Sequence, residues 1–377
     1  MAAAWSRGAG VRASGSSPRL VPWADDGRTA HQVGTLARCA THASPAKLKL
    51  EVDLMTDQLP KEHIDVLLAA AVAAPSMHNT QPWRFEIDGH VIDVYLDGSR
   101  TLPAEDPTGR AMRIAAGAAT FNLRCAAETL GYGTWFGLAP YPSEEPDLLA
   151  RIVIEPTAAR NDELCDLAAQ IPYRHTDRNP SDATAVAEGT RVSLMQAAYP
   201  EGAQLTWLAD DDVRTVLDLV LDTDLREIGD WHRRAERAHW VGGERTDDGI
   251  PSSALGPRSA TYPAAVRDMA TRPTDRVRAE QSFEQHPDLA VLSTDFDEPS
   301  DQVAAGAALQ RVLLTATRAG VSASFLNQPL EFDDLRAKVQ RLTGRPGHAH
   351  MIIRFGHHRP GSATARRPLA DFLKEQS

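Results

Sequence analysis

A short, uncharged polar turn holds the first residues that could do chemistry. It lies in "APSMHNTQPWRF", from Ala74 to Phe85. The hydroxyl of Ser76, the amides of Asn79 and Gln81, and the backbone N–H groups after the proline offer both donors and acceptors. A charged group could not match a ring edge that alternates C=O and N–H groups. The stretch is interpreted either as the rim of a pocket for a flat, polar-edged ligand or as an ordinary capping turn.

Two basic clusters lie far from this turn. In "YRHTDR", Arg174, Thr176 and Arg178 project to one side of an extended or turn conformation, an arrangement that could clamp a phosphate group. The alternative is a solvated basic turn that pairs with nearby acids. In "ATARRPLADFL", Arg366 and Arg367 precede a short predicted C-terminal helix. Two separate basic clusters in an acidic chain raise the prospect that both contact one anion.

A histidine-rich strand is the third candidate. In "HAHMIIRFGHH", His348 and His350 share one face, but no acidic or cysteine ligand nearby completes a metal site, so the pattern favours histidines on a half-exposed strand. The chain has no G-x-G-x-x-G after a strand, no G-x-x-x-x-G-K-[ST] loop, no H-E-x-x-H and no G-x-S-x-G. These absences disfavour a Rossmann dehydrogenase, a P-loop enzyme and an α/β-hydrolase.

Composition narrows the function classes. The chain has 377 residues and a net charge of −11, which argues against nucleic-acid binding as the main activity because phosphate neutralisation needs a basic surface. No stretch reaches the length of about 18 apolar residues that crosses a membrane. The three cysteines are widely spaced and form no C-x-x-C pair, which predicts a reducing, cytoplasmic location. Residues 1–54 are rich in Gly, Ser, Arg and Pro, and we expect a disordered extension or a gene start that truly lies near Met55.

The elements that must position these residues are repeated along the chain. "GAATFNLRCAAETLGYGTWFGLAP", from Gly117, aligns without gaps to "GAALQRVLLTATRAGVSASFLNQP", from Gly306, with seven of 24 positions identical. The pattern predicts a helix packed through small residues, a glycine that ends it, and a following strand. We therefore expect two tandem units, residues 55–157 and 158–377. The second unit contains an insertion at about 212–280, whose Gly/Pro/Ser-rich loop is typical of a lid, a binding loop or a disordered segment.

The coarse secondary structure is mixed. Asp88-Gly89 predicts a β-hairpin, and Asp106-Pro107 predicts an N-cap followed by proline at the first helical position. Strands and helices do not alternate regularly, which predicts an α+β fold rather than a doubly wound sheet. Six helices are expected, near residues 61–74, 107–130, 161–171, 183–198, 211–240 and 300–319.

Three of these motifs together resemble a known family. "APSMHNTQPWRF" resembles the A-P-S-x-x-N-x-Q-P-W signature of the flavin-dependent nitroreductase superfamily. "RHTDR" resembles its R-x-S/T-x-R phosphate motif, and "RRPLADFL" resembles its basic C-terminal segment. With "EDPTGRAMRIAAGAATFNLR" and the lid-like insertion, the chain is similar to the Acg branch, in which one chain carries two nitroreductase-like units and imitates the usual homodimer. The resemblance covers roughly residues 55 to 375.

The resemblance implies a cofactor and its site. It implies a nitroreductase-like α+β fold, an intramolecular pseudo-dimer, with FMN between the two units. The second unit has "AAYPEGAQLTW" in place of the polar turn, which predicts one FMN per chain. The turn implied to meet the flavin ring and ribityl chain comprises Ser76, Met77, Asn79 and Gln81. The second unit would supply Asn327 and Gln328 over the flavin, and Arg174, Thr176, Arg178, Arg366 and Arg367 for the phosphate.

The implied function is an FMN-dependent NAD(P)H oxidoreductase that reduces nitro compounds, quinones or similar small-molecule acceptors. No obligatory acid or base side chain is expected, because the flavin carries the hydride chemistry. The alternative is an FMN-binding or sequestering protein whose lid, with Trp231, Trp240 and Tyr262, covers the face where NAD(P)H must stack. A structural pseudo-dimer that has lost flavin is the third hypothesis, opposed by the intact turn and clamp. Nucleic-acid and membrane partners are not expected, and the chain is either a monomer or a homodimer.

Overall fold

The computed structural model describes residues 58–157, 159–182, 184–260, 267–357 and 363–374. The predictions for residues 1–54, for the start at Met55 and for Tyr262 in the lid fall outside them. None of the described helices is long and apolar enough to cross a membrane.

The first half of the described chain pairs two helices with a four-stranded antiparallel sheet. Its strands follow the order β1-β2-β4-β3 across the sheet. The predicted hairpin is confirmed, since Asp88 pairs with Val91 across a turn in which Gly89 has a φ of 58°. The elements are α1 (Lys61–Val72), β1 (Trp83–Asp88), β2 (Val91–Leu96), α2 (Arg110–Thr129), β3 (Tyr132–Leu138) and β4 (Leu148–Pro156).

The second half repeats this plan with an insertion. Its elements are α3 (Asp162–Ala168), α4 (Glu188–Ala198), β5 (Gln204–Trp207), α5 (Asp210–Glu227), α6 (Trp231–Trp240), β6 (Arg258–Ser259), β7 (Glu280–Gln281), β8 (Asp288–Thr294), α7 (Pro299–Arg318), β9 (Ser322–Phe325), α8 (Asp333–Leu342) and β10 (His348–Gly356). The larger sheet has the order β5-β8-β10-β9, again first, second, fourth, third in chain order. Both halves therefore have the same sheet topology, and α5, α6 and the short β6-β7 pair lie between β5 and β8.

Two long helices join the halves. The predicted small-residue helices are α2 and α7, and they pack against each other at Gly117 and Gly306. A Cβ added to Gly117 would lie 1.8 Å from the carbonyl oxygen of Val303, and one added to Gly306 would lie 1.9 Å from that of Ile114. The glycines are thus required by the close approach of the two backbones, which places both halves around one helix pair.

Three details of the helices differ from the expectation. The helix predicted over 211–240 is two helices, because Asp230 accepts a hydrogen bond from the backbone N–H of Arg233 and starts α6 as its N-cap. Helix α2 begins at Arg110 rather than at Pro107, although the Asp106 carboxylate still accepts from two N–H groups of its first turn. Helix α8 was not expected from the sequence.

The C-terminal segment returns to the first half. The backbone N–H of Lys374 donates to the carbonyl oxygen of Phe85 at 2.9 Å, and Leu373 forms a parallel bridge with the same strand residue. Phe372 is fully buried, with its ring 6.5 Å from that of Phe85. The segment before it is therefore held against the first half, and the predicted C-terminal helix is a single 3-10 turn, Leu369–Phe372.

Candidate functional site

A large cavity lies between the two halves. Apolar side chains from both halves line it, among them Met77, Ile114, Leu309, Phe325 and Met351. Charged and polar side chains are also part of the lining. The polar turn (residues 75–81) contributes residues 75–79. The segment before α2 and the start of this helix contribute Glu105, Asp106, Arg110, Ala111, Ile114 and Ala115. The second half contributes Arg174, His175, Thr176, Arg178, Ser324, Phe325, Asn327, Gln328, Thr364 and Arg366. The insertion adds Ile250, Arg267 and Met269.

The polar turn has an unusual backbone. His78, Asn79 and Gln81 all have φ values in the left-handed region, at 50°, 57° and 52°. Each such non-glycine residue costs about 1–3 kcal/mol and persists where the surroundings determine the conformation. Here the hydroxyl of Ser76 accepts the backbone N–H of Gln81 at 2.9 Å and closes the turn. The turn is therefore more than a helix cap, since an ordinary cap needs no such run of left-handed residues.

The amides of this turn bind neighbouring backbone. Asn79 Nδ2 donates to the carbonyl oxygen of Gly249 at 3.0 Å and to that of Ala365 at 2.9 Å. Gln81 Nε2 donates to the carbonyl oxygen of Asp247 at 2.9 Å. The insertion loop and the C-terminal segment are thus both attached to the polar turn. Asn79 still lines the cavity, as do Ser76 and Met77, whereas Gln81 does not.

Gln81 and Arg367 contact each other instead. The Gln81 side-chain oxygen accepts from the backbone N–H of Arg367, and its backbone oxygen accepts from the Arg367 guanidinium, both at 3.1 Å. That guanidinium lies 4.3 Å above the ring of Phe372. Both residues therefore stand outside the cavity lining, where they fasten the C-terminal segment to the turn.

Of the other basic residues, Arg174 and Arg366 contact the end of α1, and Arg178 contacts the insertion. Arg366 donates through Nε to the carbonyl oxygen of Val72 at 2.6 Å, and Arg174 donates to that of Ala73 at 3.2 Å. Arg178 donates to the carbonyl oxygen of Ala254 in the insertion at 3.0 Å. All of these partners are neutral backbone groups.

An edge of the second sheet holds "RHTDR" in place. Thr176 forms a parallel bridge with Ala323 of β9, and the backbone N–H of Asp177 donates to the same residue at 2.9 Å. Arg174, Thr176 and Arg178 all line the cavity, in the alternation expected for an extended segment.

Three guanidiniums in this region, one buried and two half-buried, donate to backbone carbonyl groups. Among the described residues, no carboxylate forms a salt bridge with Arg174, Arg178 or Arg366. Burial and, to a smaller extent, the nearby Arg366 together lower the pKa of Arg174 to about 9. Burial also lowers the pKa of Arg178 and of Arg366 to about 10. Cations withdrawn from water are normally paired, so an anion is the kind of ligand that these side chains could hold.

The wall of the cavity also contains a neutral amide, that of Gln328. Gln328 is 1% exposed and lines the cavity, and neither its Oε1 nor its Nε2 has a partner among the described residues. Asn327 also lines the cavity, but its Oδ1 accepts the backbone N–H of Ile352 at 2.9 Å. An unpaired buried amide costs about 1–3 kcal/mol, so Gln328 fits a ligand that offers both a donor and an acceptor.

Sequence reasoning did not identify a cluster of buried charges beside the turn. Glu105, Glu227 and Glu331 have carboxylate oxygens within 4.8 Å of one another. Three guanidiniums of the insertion, those of Arg233, Arg237 and Arg267, bind them, so the cluster is balanced in charge without a metal ion. Burial raises the pKa of Glu331 despite Arg267. This cluster joins the insertion to both halves, and its members are too distant in sequence for a local motif to reveal them.

The histidine pair on β10 is not arranged as a metal site. His350 is 1% exposed, and its Nε2 lies 2.7 Å from the hydroxyl of Thr294, while His348 is exposed. A register shift between Ala349 and Met351 breaks the strand alternation that was expected to place both rings on one face. His350 lines the cavity instead.

The counterpart of the polar turn in the second half carries an ion network. In "YPEG", Glu201 is 3% exposed, with carboxylate oxygens 2.6 Å from Arg124 and 3.1 Å from Arg311. Burial opposes ionisation of Glu201, but the two arginines outweigh it and lower the pKa of this carboxyl. The position equivalent to the cavity-facing Met77 is therefore filled by protein groups.

Comparison with known proteins agrees with this architecture. The model of the "Nitroreductase family" matches residues 53–93. A Mycobacterium tuberculosis protein named "Putative NAD(P)H nitroreductase acg" is 30% identical over 320 residues, which cover 81% of this chain and 94% of that protein. "Uncharacterized protein Rv3127" of the same organism is 31% identical over 321 residues, which cover 82% of this chain and 91% of that protein.

Among solved structures, a nitroreductase with bound FMN from Bacteroides fragilis matches with a TM-score of 0.34 and 14% identity, covering 54% of this chain and 93% of that one. The α+β class predicted from the sequence is confirmed by the two sheets and their helices. On its identity to the acg protein over most of both lengths, the chain belongs to the nitroreductase family and to its Acg-like branch.

Proposed function

We propose that this chain binds FMN in the cavity between its halves and passes electrons from NAD(P)H to small acceptors such as nitro compounds or quinones. The observation that carries the proposal is a set of three guanidiniums, one buried (Arg174) and two half-buried (Arg178 and Arg366), with which no carboxylate of the described residues forms a salt bridge. A phosphate monoester carries the negative charge and the acceptor oxygens that such a set binds.

The rest of the cavity supports a flat, polar-edged ring. Arg174, Thr176, Arg178 and Arg366 would hold the phosphate. Ser76, Met77, Asn79, Asn327 and Gln328 line the wall where the ring would lie. The unpartnered amide of Gln328 offers the donor and acceptor that a flavin edge needs. Bound flavin would supply hydride chemistry, while the protein would bind and orient it and exclude water.

Two measurements on one preparation test this function. Purified protein is expected to be yellow, or to gain flavin absorbance when FMN is added, and anaerobic NADPH is expected to bleach it within seconds. A colourless protein that gains no flavin absorbance would contradict FMN binding. Colour that persists with NADPH would contradict the reductase.

The second candidate function is an FMN-holding protein with little turnover. Its basis is the insertion, which contacts the polar turn through Asp247 and Gly249 and adds Ile250, Arg267 and Met269 to the cavity wall. We infer that this insertion is a lid over the flavin. Slow bleaching that becomes fast after deletion of residues 247–262 would favour this candidate, and equal rates before and after deletion would contradict a lid.

We also infer the division of the chain into units of residues 55–157 and 158–377, with the insertion at about 212–280. The repeated strand order and the glycine contacts of α2 and α7 support a tandem, pseudo-dimeric arrangement. Such a chain could be a monomer, because both halves of the cavity belong to it.

A further inference from the structure

His78 is held in the cavity wall in an uncommon way. Its backbone has a φ of 50°, its side chain is 2% exposed, and its Nε2 lies 2.5 Å from Oε2 of Glu105. Its Nδ1 has no hydrogen-bond partner among the described residues. Left-handed non-glycine residues cluster at functional sites because strain is tolerated there. His78 thus lines the cavity with Nε2 at hydrogen-bond distance from Glu105 and with a buried Nδ1 that has no partner among the described residues.

Glu105 fixes the orientation of this ring. Its other carboxylate oxygen accepts from Nε of Arg237 at 2.9 Å, and its backbone N–H donates to Glu236 at 2.8 Å. Burial opposes ionisation of Glu105, but His78, Arg267 and Arg237 outweigh it and lower the pKa of this carboxyl. An ionised carboxylate accepts the proton on Nε2, so Nδ1 is the atom that changes from acceptor to donor when the ring takes up a proton.

The other histidines of the cavity have different neighbours. Burial, with Arg110 and Arg336, lowers the pKa of His350 to about 3, so this ring is neutral near pH 7. Burial and Arg174 likewise lower the pKa of His175, which adjoins the phosphate-binding arginines. Within the described part of the chain, three histidines line the cavity, and of these His78 is the one with a carboxylate partner at hydrogen-bond distance.

We propose that His78 donates the proton that the electron acceptor needs, with Glu105 as its positioning residue. This proposal rests on the proposed reductase function. The charged groups around the His78–Glu105 pair are Glu236 and Arg237 from α6 and Arg267 from the loop that follows it.

The chemistry balances for a quinone acceptor. One hydride, supplied by the nicotinamide donor that becomes oxidised, and one proton convert a quinone to a hydroquinone. As the quinone accepts the hydride and its electron pair, one of its carbonyl oxygens becomes anionic. The Nδ1–H bond of the His78 imidazolium breaks and an O–H bond forms on that oxygen. Solvent then returns a proton to the imidazole.

Two electron acceptors separate this role from a structural one. Menadione, a quinone, needs a proton, whereas ferricyanide accepts one electron and no proton. In His78→Gln we expect menadione turnover to fall about 100-fold, the lower end of what general acids contribute, while ferricyanide turnover stays within about threefold. His90→Gln is the matched control, because His90 lies on the β1-β2 hairpin, with Nδ1 2.8 Å from the carbonyl oxygen of Ile154; it should change neither rate.

His78→Asn provides a second variant, since asparagine tolerates the left-handed backbone. The dependence of menadione turnover on pH should differ between the unaltered protein and His78→Asn, because asparagine cannot serve as a proton donor of this kind. The midpoint potential of the bound flavin should be the same in the unaltered protein, in His78→Gln and in His78→Asn. A shifted potential, an equal loss with both acceptors, or unchanged menadione turnover would overturn the role of His78. If the unaltered protein reduces neither acceptor, the proposed function itself is contradicted, and this role with it.

Discussion

At the scale of single residues, Arg174 shows how the chain is prepared for an anion. Its guanidinium is buried beside Arg366, which shares its charge, and it donates to the backbone of Ala73. Such a group is costly in the absence of ligand because a buried cation without a counter-ion has lost its hydration. Ligand affinity and stability of the ligand-free protein should therefore respond in opposite directions when the charge is removed.

Arg174→Met tests this opposition. Loss of one charge-assisted contact of about 1.5–3 kcal/mol should weaken FMN binding roughly 10- to 150-fold, measured by titration of flavin fluorescence. The free energy of unfolding of the FMN-free protein, measured with urea, should not decrease. Arg113→Met is the matched control, because that side chain donates to Thr108 and Gln302 outside the cavity. Unchanged FMN affinity in Arg174→Met would place the phosphate elsewhere.

His350 makes stability depend on pH. Its pKa is 6.5 when unperturbed and about 3 in the folded chain, chiefly because of burial. Between these values the unfolded chain binds more protons than the folded one, so stability falls as pH falls, by up to about 1.4 kcal/mol per pH unit for this group. The free energy of unfolding of His350→Gln should therefore fall less steeply from about pH 6.5 to pH 5. Parallel slopes for the two proteins would contradict a neutral, buried His350.

Sequence reasoning predicted residue types at the site better than their contacts. Arg174, Thr176 and Arg178 alternate along an extended segment, and an alternating segment has a known side-chain direction, so all of them line the cavity. Gln81 and Arg367 could not be placed this way. The left-handed φ of Gln81 turns its side chain away from the direction that a strand or helix would give, and toward the C-terminal segment.

At the scale of elements, the approach of α2 to α7 determines the shape of the cavity, because residues of both helices line it. Gly117→Ala should lower the free energy of unfolding. The new Cβ would meet the backbone oxygen of Val303 at 1.8 Å, and overpacking of this kind costs about 1–3 kcal/mol or more. That cost exceeds the roughly 0.5–1 kcal/mol that alanine gains over glycine in a helix.

Gly189→Ala is the matched control for this substitution. Gly189 lies in α4, and an added Cβ would have no atom within 4 Å, so urea unfolding should show a gain of about 0.5–1 kcal/mol. Stabilisation by both alanines would mean that the two long helices do not approach as closely as described.

The helices themselves were largely predictable, with two instructive exceptions. Periodicity gave α2 and α7 because both carry long runs of small apolar residues. Periodicity predicted α5 and α6 as one helix, because the apolar period continues through Asp230. In the structure Asp230 caps the start of α6, so the chain forms two helices. Periodicity missed α8, whose buried residues are few among many charged ones.

At the scale of the whole molecule, the two halves share a strand order but not a site. We predict one FMN per chain, because the second half has Glu201 and its two arginines where the first half has the polar turn. The molar ratio of bound flavin, measured by its absorbance, to protein chain should approach one. Light scattering would give the mass of the particle relative to the 41.0 kDa chain. A ratio near two would show that the Glu201 network does not block a second site. This asymmetry was readable from "AAYPEGAQLTW", but the ion network in its place was not, since Arg124 and Arg311 come from distant helices.

The presence of two halves with one topology in a single chain affects which substitutions its sequence can accept. In a homodimer every substitution occurs twice, so a residue that suits one of two equivalent sites is imposed on the other. Here each position occurs once, although the halves have one topology. Met77 can face a cavity while its counterpart Glu201 closes a salt-bridge network, with no compromise between them. The single chain thereby gains independent variation of two surfaces that symmetry would keep identical.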